Sequence, residues 1–165
     1  MGNFRSWTTL LSESFNVGKL NPNKWVNSFK VDENTKGKVL IHNSNKRHNS
    51  NFPWVSILNQ IDDEVLFITS NQSEYDSFRF KTDKVKLYLT PTIGDMVNAI
   101  NSSKLFIGNQ SLPLAIASSL DVLRIAELHT SCSEFYSGEH QYSNKISWFI
   151  SDTIKHNSDE IIIKI

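Results

Sequence analysis

Between Lys38 and Leu128 the chain alternates short, nearly unbroken apolar runs with segments whose apolar residues recur at helical spacing. The runs are Lys38-Val-Leu-Ile-His42, Glu64-Val-Leu-Phe-Ile-Thr69, Lys86-Leu-Tyr-Leu89, Leu105-Phe-Ile-Gly108 and Val122 to Leu128. Each run predicts a strand, and Glu64 to Thr69, nearly continuous in apolar residues, predicts one buried on both faces. Between them, Phe52-Pro-Trp-Val-Ser-Ile-Leu58 reads as a helix with Pro53 in its first turn. Ser73 to Phe80 predicts a short helix capped by Ser73, Thr92 to Asn101 one capped by Thr92, and Leu112 to Leu120 a third. Strands followed by helices in strict alternation predict right-handed βαβ units and a parallel sheet.

The flanks read differently. Phe4, Trp7, Leu10, Leu11 and Phe15 lie near helical spacing, so a helix is expected there, ending before Val17-Gly18. Asp32 to Gly37 is a polar turn. Beyond His129 the pattern loosens: Lys145 to Asp152 fits helix or strand, and Ile161 to Ile165 a further strand or an ordered tail. The expected architecture is α/β, a single three-layer Rossmann-like domain over 37–165 with a mostly parallel sheet. An N-terminal helical, interdomain-like segment over 1–36 precedes it.

Composition narrows the function classes. Lys plus Arg equals Asp plus Glu, 17 each, so no global field draws the chain to nucleic acid or an acidic membrane. Cys132 is the only cysteine, which excludes an intrachain disulfide and any cysteine-based metal cluster. No apolar run approaches the roughly 20 residues of a membrane span, and no signal-peptide run opens the chain. A cytoplasmic domain is expected.

Candidate chemistry gathers where the strands end. Gly108-Asn109-Gln110-Ser111 lies between the fourth strand and a helix, where open α/β sheets bind anions on free amides and the helix dipole. The amides of Gln110, Ser111 and Leu112 and the Ser111 hydroxyl are the candidate donors to a diphosphate; a plain helix cap would use the same residue types. Arg47, with Lys46 beside it, sits on the polar loop after the first strand and could clamp a phosphate bidentately, or be a solvated basic residue. His42, His48 and His129 fall at or beyond strand ends, suited to a base or a phosphate contact and equally to packing. Glu127 ends the fifth strand, as an acceptor for ribose hydroxyls or as a solvated carboxylate. Thr69, Ser70 and Asn71 end the second strand, as pocket lining or as a simple turn. No residue declares itself catalytic, and no histidine spacing is that of a metal site.

Phe106-Ile-Gly-Asn-Gln-Ser-Leu-Pro-Leu-Ala-Ile-Ala117 resembles the C-terminal, nucleotide-sugar-binding half of GT-B glycosyltransferases, closest to heptosyltransferase-like proteins of phage and bacterial polysaccharide loci. Arg47-His-Asn-Ser-Asn-Phe-Pro-Trp54 looks like that family's loop after the first strand, and Phe67-Ile with Glu74-Tyr-Asp-Ser-Phe78 like its second strand and following helix. The likeness runs from about Phe4 to Leu128. It implies a nucleotide-diphospho-sugar as substrate and no separate cofactor or metal. Arg47 and Gly108 to Leu112 would hold the diphosphate, and His42, Thr69 and Glu127 the nucleoside or sugar. Two features depart from the family. Ala117-Ser118-Ser119-Leu120 stands where a ribose-binding glutamate is usual. The acceptor-binding half, expected before residue 1, would be a separate domain or a second copy of the chain. The rival readings are a non-catalytic nucleotide-sugar-binding module and half of a UDP-sugar 2-epimerase.

Overall fold

The computed structural model describes residues 14–15, 30–129, 146–150 and 153–156. Among the described residues seven strands form one sheet: β1 (Val39–His42), β2 (Val65–Thr69), β3 (Val85–Leu89), β4 (Leu105–Asn109), β5 (Arg124–Glu127), β6 (Ile146–Ile150) and β7 (Thr153–His156). Their order is β3-β2-β1-β4-β5-β6-β7; β1 to β6 run parallel and β7 is antiparallel to β6. Four helices join the first five strands: α1 (Trp54–Asn59), α2 (Gln72–Ser77), α3 (Ile93–Ser102) and α4 (Leu112–Ser119). This is a Rossmann-like α/β domain.

Why these residues make these layers follows from the period of two in a strand. Val39, Ile41, Val65, Phe67, Ile107 and Ile125 point to one face, where they bury Trp54, Ile57 and Leu58 of α1 and Phe78 just after α2. Leu40, Leu66, Ile68, Phe106 and Ala126 point to the other, against Met96, Ala99 and Ile100 of α3 and Leu114 and Ala117 of α4. Each fully buried Leu, Ile or Phe contributes about 1.5–3 kcal/mol over leaving it in water. The first face is stiffened by rings: Trp54 meets Phe78 edge-on at 5.3 Å, and Phe67 lies 5.2 Å from Phe78.

Local chemistry sets the ends. Thr92 caps α3 in a capping box with Asp95. In the turn before β1, Thr35 is buried and donates to Ala99 O at 3.0 Å, while Gly37, at φ 69°, donates its N–H to Ser102 O. That positive φ suits glycine. Ser73 does not cap α2 as expected. Asn71 does, its side chain accepting the Ser73 N–H at 3.0 Å. Ile146 to Ile150, readable either way in sequence, is strand β6. Apart from Ser14 and Phe15, which are helical, the expected N-terminal helix lies outside the described residues, as does Ile161 to Ile165.

Candidate functional site

Strand order reverses direction between β1 and β4. The helices that follow β1 and β2 pack on one face; those that follow β3 and β4 pack on the other. The two sets of connections part there, at the carboxyl ends of β1 and β4, where the topology of an open α/β sheet places a crevice. His42 and Gly108 are paired across it. Its walls are the loop 43–53, which carries Arg47, and the turn Gln110-Ser111 that opens α4.

Gly108 and Asn109 belong to strand β4, so the turn is only Gln110-Ser111, shorter than the sequence suggested. A Cβ on Gly108 would sit 2.8 Å from His42 O and 2.9 Å from the Phe106 ring. Glycine is therefore set by the close approach of β1. Ser111 is the N-cap residue of α4, but its Oγ donates to Asn109 O at 3.1 Å instead of capping a helical amide. Pro113 in the first turn removes one donor from the helix end. Leu112, the first residue of α4, is 53% exposed. Gln110 Oε1 accepts the His129 N–H at 2.8 Å and ties the end of β5 to the turn.

Glu127 is fully buried and has a different setting from a solvent-facing ribose acceptor. Its Oε2 accepts from Asn43 Nδ2 at 2.8 Å and from Trp54 Nε1 at 3.2 Å, and its Oε1 accepts the Asn49 N–H. Burial pushes its pKa up to about 7, while the three donated hydrogen bonds pull the other way. Asn109, also fully buried, accepts the Ser44 N–H at 3.1 Å and donates to Ser44 O at 3.1 Å and Lys46 O at 2.7 Å. Nothing local in the sequence announces either role, because the partners lie more than sixty positions away.

Arg47 is exposed and has φ 57°, a left-handed conformation uncommon for a non-glycine residue. Its neighbour Lys46 touches Asn109, which places Arg47 beside the start of the turn. His42 is buried, with Nδ1 2.8 Å from Ile68 O, and burial holds its pKa below the ordinary value. Thr69 is buried and closes the β2–α2 turn, its hydroxyl donating to Glu74 Oε2 and accepting the Asn71 N–H. The structure thus gathers Arg47, Asn109, Gln110, Ser111 and Leu112 at one crevice. It sets His42 and Thr69 toward β2 and uses Glu127 inside.

Among the described residues no group of three or more His, Cys, Asp or Glu could hold a metal, and no helix is long and apolar enough to cross a membrane. Scans against family models, curated proteins and solved structures found no match to the chain.

Proposed function

We propose that the chain binds a nucleoside diphosphate or nucleotide-diphospho-sugar in the crevice between β1 and β4, as the donor-binding half of a GT-B glycosyltransferase. The observation that carries this reading is the bond that fastens Arg47's loop, at Lys46 O, to Asn109 at the end of β4, two residues before the N-cap of α4 and at the point where strand order reverses. The guanidinium would pair with the diphosphate in two parallel hydrogen bonds, and the Ser111 and Leu112 amides would meet it from the helix end. Leaving-group charge would be stabilised by these fixed groups with no metal. An acceptor and its base would come from a further domain or subunit across the crevice, so the chain alone would bind more readily than it turns over.

A non-catalytic nucleotide-binding module is the second reading. It is favoured by Glu127, whose two oxygens are already taken by Asn43, Asn49 and Trp54 and so are withheld from a ribose.

Calorimetric titration with UDP, GDP and ADP tests both. Micromolar binding of one nucleotide is expected, with loss on Arg47→Ala and weakening on Ser111→Ala. No binding by a well-folded chain would end the donor-site reading. Binding followed by sugar release in the presence of a candidate acceptor domain would favour the enzyme over the module.

A further inference from the structure

We infer that Asn109 and Glu127 are positioning residues, a buried pair that holds the loop after β1 in the one shape that presents Arg47 to a diphosphate. The inference rests on the diphosphate reading above and concerns residues that never touch the ligand.

The two are partners across the β4–β5 ladder, and both are fully buried. Together they hold five residues of one segment. Glu127 takes Asn43, Asn49 and Trp54; Asn109 takes Ser44 and Lys46. Asn49 adds a bond from Nδ2 to Leu128 O at 3.1 Å, and its Oδ1 accepts the Asn51 N–H at 3.0 Å. The loop is fastened on both sides of Arg47, at Lys46 and at Asn49, yet Arg47 itself is exposed.

Two features make stability alone a poor explanation. A buried carboxyl and a buried amide at the end of a central strand pair are expensive, and an apolar pair would hold the sheet as well. The loop they hold keeps a non-glycine residue at φ 57°, which costs about 1–2 kcal/mol. The surrounding bonds over-determine that conformation, a pattern that accompanies functional sites. A guanidinium that must meet two phosphate oxygens at once needs its backbone fixed to within about 0.5 Å. The clamp supplies this.

Glu127→Gln is the informative variant. It keeps the volume but turns one acceptor oxygen into an NH2 that faces donors, so part of the clamp opens. The full chain, Arg47→Ala, Glu127→Gln and the double variant are titrated with inorganic pyrophosphate, with circular dichroism checking the fold. Each single change should weaken pyrophosphate about tenfold, and the double should be no weaker than either single, because both act through the same contact. A double variant about a hundredfold weaker, the sum of independent losses, would overturn the inference while leaving the diphosphate reading intact. So would wild-type affinity in Glu127→Gln. Absence of pyrophosphate binding by the wild-type chain would overturn the diphosphate reading itself and this inference with it. If Glu127→Gln does not fold, Asn43→Ala, which deletes one donor at the half-buried rim, is carried through the same cycle with the same outcomes.

Discussion

The imidazole of His42 and the carbonyl of Ile68 are joined across the β1–β2 ladder at 2.8 Å, with His42 donating from Nδ1 because a carbonyl can only accept. The bond keeps a proton on Nδ1, and burial favours the neutral ring. Burial is the main cause of its lowered pKa, and the Ile68 bond and the charge on Glu74 oppose it. Below the ordinary value of 6.5 the unfolded chain takes up a proton that folded His42 resists, so this group makes stability fall as pH falls. Glu127 acts in the opposite sense. Folded, it keeps its proton up to about pH 7, whereas unfolded it releases it near 4.5, so its contribution falls as pH rises through that window. The two slopes oppose each other in the part of the range below 6.5 where folded His42 is still neutral. Urea unfolding across this range should show Glu127→Gln gaining stability with rising pH relative to wild type. His42→Gln should lose it. Parallel pH profiles for all three proteins would show that neither group titrates with folding.

Gly108→Ala should be severe although no positive φ is involved. The added methyl would meet the His42 backbone at 2.8 Å and the ring of Phe106, itself fully buried and unable to swing aside. A loss of about 2 kcal/mol or more is expected, seen as a Tm lower by about 5 °C or more. An unchanged Tm would mean that β1 and β4 separate freely at their ends.

Arg47→Gly and Arg47→Ala separate backbone from side chain. Both remove the guanidinium, so both should lose pyrophosphate to the same degree. Glycine alone is at ease at φ 57°, so Arg47→Gly should be about 1 kcal/mol more stable than Arg47→Ala in chemical denaturation. Equal stabilities would mean that the loop relaxes out of the left-handed conformation when the side chain is shortened.

Thr90 Oγ1 is buried without a hydrogen-bond partner among the described residues. Thr90→Val keeps the shape and removes that hydroxyl, so it should be neutral or stabilising by about 1 kcal/mol in thermal unfolding. A loss of that size instead would reveal an ordered water or ligand group bound to the hydroxyl.

Strand β2 shows why so much of the fold was legible. Val65 to Thr69 is buried at every position, and an unbroken apolar run is the direct imprint of a strand covered on both faces. Helix α3 was equally plain, since Thr92 and Asp95 form their capping box within four residues. Helix α2 was harder. Thr69, Ser70, Asn71 and Ser73 all favour caps, and only the backbone geometry selects Asn71. The crevice could be placed from strand ends, but the work of Asn109 and Glu127 could not. Their partners are 63 to 84 residues away, and no local period carries such information. Arg47's left-handed backbone was hidden for a related reason, because tertiary bonds impose it against the residue's own preference.

Fastening the loop after β1 to the ends of β4 and β5 also bears on kinetics. Its conformational entropy is surrendered when the sheet forms, before any ligand arrives. A diphosphate reaching Arg47 would meet no loop-closure step. Capture would then be limited by diffusion and charge, with an association rate that falls as ionic strength rises and shows no slow isomerisation phase.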